Sequence, residues 1–344
     1  MSNFNNNYLI CVEFKSNWSK FKLLIEMKSR ILVTLILLSG FLTITHGQVT
    51  EAEKTLISQR VDTTQGWKTG GVIALNLAQT SLTNWAAGGQ NSVAVNGIFS
   101  AFCNYKRNRS VWDNSLDMGY GILRQGKNSN YRKTDDKIDF VSKYGQEAFK
   151  NFYYAFLFNF KTQMAPGYNY PDDSTKISTL LSPAYVLFAL GMDYKPSTHF
   201  SAFIAPLTAK FTIVNNQRLA DSGAFGVKRG NKSLSEVGGY IRVIYTKNDF
   251  KSEFLKNVSF TTKIDLFSDY ANNPQNVVVN WETLIAFKIN KFLSANFNTQ
   301  FIYDDKIKVQ YDKNHNGILE PGESVGSKIQ SKEILGVGLS YNFL

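Results

Sequence analysis

Cysteine is almost missing. Of 344 residues only Cys11 and Cys103 carry a thiol, and Cys11 lies in a stretch read below as a leader. Cys103 is then alone, so no internal disulfide can staple the mature chain. It falls on an apolar face, where a small buried or lipid-facing thiol is the ordinary role. Histidine is as scarce: His46 in the leader, His199 at a predicted turn and His315 in a polar loop. None sits at an outer rim beside a serine, so a Ser-His barrel lipase has no candidate residues. There is no cysteine metal cluster, no phosphate-cradling glycine loop and no nucleic-acid motif. The chain is therefore expected not to be an enzyme. Carboxylate pairs such as Asp135 with Asp136 and Asp172 with Asp173 fall in predicted loops and read as solvated turns. Outside one run near the N-terminus no apolar stretch reaches about 20 residues, which excludes helical spans in the mature chain.

That one run belongs to a leader. Met27 begins MKSRILVTLILLSGFLTITHGQ, with Lys28 and Arg30 in front of an apolar core from Ile31 to Ile44. Thr45 and Gly47 stand three and one residues before a cut ahead of Gln48. This is the pattern of a secretory signal peptide, and the short core argues against a single membrane anchor. The expected organisation is a signal region over 1–47 with Met27 as the true start, a periplasmic tail over 48–65 and one barrel domain over 66–344. Gln48 as first residue gives no lipoprotein cysteine. The formal charge of the whole chain is +11, and losing the leader's five basic and two acidic residues leaves +8. These charges are spread through alternating segments rather than clustered, so no nucleic-acid partner is expected.

What is abundant is alternation. The last stretch, KEILGVGLSYNFL, sets Leu335, Val337, Leu339, Tyr341 and Phe343 on one face. Ile334, Gly336, Gly338, Ser340 and Asn342 form the other. A strand of this kind buries one face in something apolar and turns the other to water or a packed lumen. A soluble sandwich could use it too, so the rest of the chain decides. Twelve such strands are predicted, at 66–79, 91–105, 110–124, 136–148, 152–164, 177–194, 199–214, 233–247, 257–270, 277–289, 292–304 and 329–343. Pro183 and Pro206 interrupt the sixth and seventh, and a bulge is expected near each. Connections alternate between short turns and long loops. That is the habit of outer-membrane barrels, with turns periplasmic and loops outside. Aromatics recur at strand ends (Trp67, Tyr105, Trp112, Tyr153, Tyr194, Tyr245, Tyr270, Trp281, Tyr303), as two interfacial girdles require. The predicted fold is all-β, a transmembrane antiparallel up-and-down barrel.

Two features carry possible function. Asp312 to Glu323 reads DKNHNGILEPGE and fits the calcium loop D-x-[DN]-x-[DN]-G-x5-E. Asp312, Asn314, Asn316, Ile318 (by its carbonyl), Glu320 and Glu323 are the candidate ligands of a structural Ca2+. Two Asn ligands and Pro321 depart from the strongest versions, and a polar Asn-Gly turn without metal is the alternative. The second feature is a charged interior. Asp113, Asp117, Lys137, Asp139, Lys143, Lys161, Arg242, Lys263, Asp265, Glu282 and Lys288 fall on the inward parity, with Glu147 and Asp269. They line either a polar channel or a lumen filled by ion pairs, since twelve strands lie between packed and open barrels.

SLTNWAAGGQNS (Ser81 to Ser92), NSLDMGYGILRQGK (Asn114 to Lys127), APGYNYPDDS (Ala165 to Ser174) and the ending LGVGLSYNF resemble a family of Bacteroidota envelope proteins. That family is known only as a domain of unknown function, DUF3078. The resemblance implies an outer-membrane β-barrel in that phylum. The partners expected of the chain are outer-membrane lipid and an envelope protein complex. It supplies no reaction, substrate or catalytic residue. The expected role is a narrow channel or a structural part of an envelope complex. The alternatives are a closed-lumen surface binding or assembly protein and, more weakly, a lipid-modifying enzyme.

Overall fold

In the computed structural model the described residues are 65–82, 89–126, 129–170, 172–290, 293–310 and 325–343. The leader, nearly all of the N-terminal tail and the calcium-type loop Asp312–Glu323 lie outside them.

Twelve long strands close into one barrel. They are β1 (Gly66–Thr80), β2 (Ser92–Arg107), β3 (Ser110–Gln125), β4 (Arg132–Phe149), β5 (Phe152–Thr162) and β6 (Ala184–Ser197). Then follow β7 (Phe200–Ile213), β8 (Ser233–Lys247), β9 (Val258–Asp269), β10 (Val278–Lys288), β11 (Leu293–Tyr303) and β12 (Gln330–Phe343). Each pairs antiparallel with its sequence neighbours, and β12 closes on β1 from Gly71↔Phe343 to Asn76↔Gly338. Closure leaves no open edge, which is what lets a sheet stand in hydrocarbon.

Alternation decides what each face meets. Ile73, Leu75 and Leu77 of β1, Phe156 of β5, Ile204 of β7 and Leu335, Val337 and Leu339 of β12 all point outward and exposed. A row of exposed branched and aromatic side chains around a closed sheet would be a liability in water; it is the surface a bilayer covers. Near the rim with the shorter turns, Trp67 packs on Tyr105 at 4.8 Å and on Trp112 at 6.0 Å. Phe152 stacks between Phe149 at 4.6 Å and Tyr194 at 4.5 Å. Tyr153 departs from the expected girdle. It pairs with Asp193 on the inward parity, and its ring lies under the Lys195 ammonium, 5.6 Å away.

The closing seam explains one glycine. A Cβ on Gly71 would stand 2.5 Å from both Phe343 Cζ and the Ser100 carbonyl oxygen. Only glycine lets the Phe343 ring lie flat there, stacked on Phe99 at 6.0 Å.

Strand count and order follow the sequence expectation, and two details differ. The sixth strand starts at Ala184, not near 177. Thr179 and Ser182 bond each other's backbones in a tight turn before Pro183, and Lys176–Ser178 pairs instead with Gly167–Tyr168 in a short ribbon. Proline without an N–H marks the strand's first turn rather than a bulge. At Pro206 the bulge is present. The ladder slips between Leu190 and Met192 opposite Leu207 and Ile204, where a Cβ on Gly191 would sit 2.0 Å from the Ile204 oxygen.

The rim of shorter turns has tight reversals such as Asn108–Arg109 and Lys150–Asn151, with Asn108 and Asn151 in the left-handed region. The opposite rim carries the long loops. After β7 the chain forms a short helix, α1 (Gln217–Ser222), capped by the Asn216 side chain. Val214, Leu219, Ala220 and Val227 bury one another there as a small core outside the barrel proper. This loop is tied to its neighbour by Asn215 N–H to the Leu181 carbonyl and Asn216 N–H to Ser182 Oγ.

Candidate functional site in the barrel lumen

The two walls of the lumen are unequal because their inward residues differ in size. From β5 to β9 the inward positions hold Leu157, Leu187, Phe203, Tyr240 and Phe267, which pack into one apolar cluster. On β3 and β12 they hold Gly119, Gly121, Gly336 and Gly338. Asn76 lies over the last two so closely that a Cβ on Gly338 would fall 2.4 Å from its Oδ1. Over the glycines of the other wall lie side chains from neighbouring strands, Asn76 over Gly336 and Gly338 and Asp135 over Gly119. Between the walls is a cavity of about 320 Å³, lined by residues of all twelve strands.

Charged side chains cross the bore beside it. Lys137 on β4 reaches Glu282 on β10 at 2.9 Å. These strands stand opposite each other in the ring, so this one pair spans the lumen. Lys263 on β9 joins Glu282 at 3.2 Å and Asp139 at 3.7 Å. Lys161 on β5 lies 3.6 Å from Asp139 and 3.4 Å from Asp265. Arg242 grips Asp265 through Nε at 2.6 Å and Nη2 at 3.0 Å, and the Tyr240 hydroxyl donates to the same carboxylate at 2.7 Å. Asn159 donates to Asp139 at 2.6 Å. Four cations thus meet three carboxylates, and each partly meets the charge that burial would leave bare.

Two further groups flank this belt. Toward the shorter turns, Lys195 joins Asp113 at 2.7 Å and Asp193 at 3.4 Å, while Lys143 also pairs with Asp193. Toward the loops, Lys332 of β12 reaches across to Asp135 of β4 at 2.8 Å. Lys210 pairs with Glu236 at 3.1 Å, and Lys306 pairs with Glu236 and, at 2.7 Å, with Asp269. Lys306 leaves β11 yet binds β8 and β9, and a Cβ on Gly226 of the α1 loop would meet its own Cβ at 2.7 Å. The start of the β11–β12 loop is therefore drawn inward over the mouth. Burial opposes the charge on Lys306, but hydrogen bonds and ion pairs with Asp269 and Glu236 outweigh it and raise its pKa.

Asp113, Asp117, Lys137, Lys143, Arg242, Lys263 and Glu282 line the cavity itself. Asp139, Lys161 and Asp265 stand in the belt beside it, and Asp117 accepts from Ser100 Oγ at 2.6 Å. Lys288 is buried near the shorter-turn end of β10, away from the cavity, its N–H bonded to the Asn257 carbonyl. Glu147 lies at that rim, 3.8 Å from Arg109.

The reading of Asp135 and Asp136 as a loop pair is corrected. Both belong to β4, whose first residue is Arg132, and Asp136 is buried against Lys133 and the N–H groups of Met164 and Ala165. Asp172 does stay in an exposed turn, where Ser174 and Thr175 hydrogen bonds hold its carboxyl below the usual range. The sequence expectation omitted Asp193, Lys195, Lys210 and Glu236. Period two alone would have found Asp193, Lys195 and Glu236, but at Pro206 the inward side of β7 moves by one residue, from Phe203 and Ala205 to Thr208 and Lys210. Among the described residues no group of three or more His, Cys, Asp or Glu is placed to hold a metal. The candidate ligands Asp312, Asn314, Asn316, Ile318, Glu320 and Glu323 lie outside the described residues.

Residues 77–168 match the model of a family described as "Protein of unknown function (DUF3078)". The match runs from the loop end of β1 through β5 and agrees with the resemblance seen in the motifs of that stretch. Among solved structures the chain is similar to the COG4313 outer membrane channel from Pseudomonas putida F1. The two are 7% identical with a TM-score of 0.37, over 82% of this chain and 97% of that one. No curated protein matches the chain.

Proposed function

We propose that the protein is an outer-membrane barrel acting as a narrow passive channel, with its loop rim outside the cell. The observation that carries this reading is a cavity of about 320 Å³, with charged side chains in its wall, inside a closed barrel whose outer face is apolar. No catalytic step is assigned to it. The test is purified protein in a planar lipid bilayer in potassium chloride. Discrete conductance steps are expected. A silent bilayer, with the protein shown to be inserted and folded, overturns the channel reading. It would favour a closed-lumen assembly protein, for which the interlocked loops after β5 and β7 speak.

The second part of the proposal is a calcium-tightened external loop, supported by the Asp312–Glu323 spacing. Calcium is expected to raise the melting temperature of the wild type, and a chelator to lower it. The Glu323→Gln variant is expected to lose that difference, because a bidentate ligand is gone. Equal melting of both proteins with and without chelator means the loop holds no calcium.

A further inference from the structure

The long loop after β7 carries charge that its surroundings leave unpaired. It is closed at its base by the Val214 N–H on the Lys232 carbonyl and across its middle by the Gly230 N–H on the Ala220 carbonyl. Arg218, Lys228, Arg229 and Lys232 all stand exposed on it. Among the described residues none of the four has an ion-pair partner. The loop's one acid, Asp221, accepts from Gln217 Nε2 at 2.8 Å. At the opposite rim, by contrast, Arg109, Lys247 and Lys256 are paired with Glu147, Asp249 and Glu253. The buried Val214, Leu219, Ala220 and Val227 hold the loop in shape, and Arg229 lies so close to Gly223 that a Cβ there would meet its Cγ at 3.1 Å. The cations are thus gathered before any partner arrives, which lowers the entropy cost of binding.

The position of the loop narrows the partner. Just below it the outer face is apolar: Val237 of β8 is exposed, and Phe211 of β7 meets exposed Phe188 at 6.4 Å. The loop therefore stands where hydrocarbon gives way to lipid headgroups. The segment tied to it through Leu181 and Ser182 exposes Ile177 and Leu180. Cations beside exposed aliphatic side chains suit an anionic lipid, which brings a charged head and acyl chains together. A soluble polyanion would use the cations and leave Ile177 and Leu180 in water. Phosphate is the head that fits, because an Arg fork holds two of its oxygens and a Lys ammonium adds a point charge.

We propose that the loop over 214–232 is a docking site for phosphorylated lipid of the outer leaflet, with Arg218, Lys228, Arg229 and Lys232 on the phosphates and Ile177 and Leu180 against acyl chains. This rests on the long-loop rim lying outside the cell and not on conduction through the lumen. The experiment measures binding of fluorescent lipopolysaccharide to the full barrel in neutral detergent, before and after the lipid's phosphates are removed by a phosphatase. Each cation changed to Gln is expected to weaken binding about fivefold. The variant Arg218→Gln/Lys228→Gln/Arg229→Gln/Lys232→Gln is expected to bind the phosphorylated lipid no better than wild type binds the stripped one. Lys228→Gln/Lys232→Gln serves should the fourfold variant fail to fold, with a loss of about twenty-five-fold. Equal binding of the two lipids by wild type, or unchanged binding by folded variants, overturns the proposal. Competition by inorganic phosphate as strong as by the lipid makes the site one for free phosphate and overturns the lipid. Orientation is checked apart, by labelling Asn231→Cys with a maleimide that cannot cross membranes. Labelling of intact cells is expected; labelling only after lysis overturns the proposal and the outward loop rim together, whereas lost lipid binding on a labelled rim leaves the channel reading standing.

Discussion

The Asp265→Ala variant loses about 3–5 kcal/mol of folding stability, the cost of stranding a buried charge. Asp265 accepts two hydrogen bonds from Arg242 and one from Tyr240, and Lys161 stands 3.4 Å away. Arg242 is 4% exposed. Its guanidinium cannot shed a proton to escape, so its charge remains and is uncompensated. The Tyr240 hydroxyl loses its acceptor at the same time. The measurement is the urea midpoint of the barrel in lipid, followed by the mobility shift between folded and heated protein. The partner experiment is the double variant Arg242→Met/Asp265→Leu. Its side chains adjoin the cluster of Phe203, Tyr240 and Phe267, where apolar groups already pack. A charge pair replaced by packed hydrocarbon is close to neutral, so the double variant should unfold at a higher urea concentration than the single one. If the two unfold together, the pair acts through shape and not through charge.

Most of the barrel was legible because lipid enforces a simple rule. An outward residue meets hydrocarbon or it does not, so β12 shows Leu335, Val337 and Leu339 in strict alternation. Strand number, order and the two kinds of rim follow from that rule and from connection length. Position along a strand was less legible, since it depends on partners elsewhere in the sequence. Nothing in the chain near Lys332 announces Asp135, its partner from a strand four places away in the ring. The inward parity also fades where the pleat is broken. At Pro206 the inward side of β7 passes from Phe203 and Ala205 to Thr208 and Lys210, and Lys210 was missed. The cavity was the hardest feature to foresee. It depends on which inward side chains reach over their neighbours, as Asn76 does over Gly336, and no single strand's pattern shows that.

Removing the pair that spans the bore tests what the belt is for. The double variant Lys137→Ser/Glu282→Ser is expected to raise single-channel conductance several-fold while the barrel still folds. Folding survives because the balance of charge does. Before the change Lys137, Lys161, Lys263 and Arg242 face Asp139, Asp265 and Glu282; afterwards three cations face two carboxylates, the same excess of one. Lys263 keeps Asp139 at 3.7 Å, and the Arg242 pair with Asp265 is untouched. Gln300 and Asn280 lose their bonds to Glu282 but retain the one between them at 2.9 Å. Conductance rises because two long side chains meeting from opposite strands are replaced by two short hydroxyls that water can solvate. Each single variant makes the control. Lys137→Ser alone leaves Glu282 with Lys263, and Glu282→Ser alone leaves Lys137 with Asp139 at 4.0 Å, so the remaining long chain still obstructs the bore. A conductance that rises as much in one single variant as in the double one would mean that the bridge is not the constriction. An unchanged conductance in all three places the narrowest point at the mouth, where Lys306 holds the β11–β12 loop against Glu236 and Asp269.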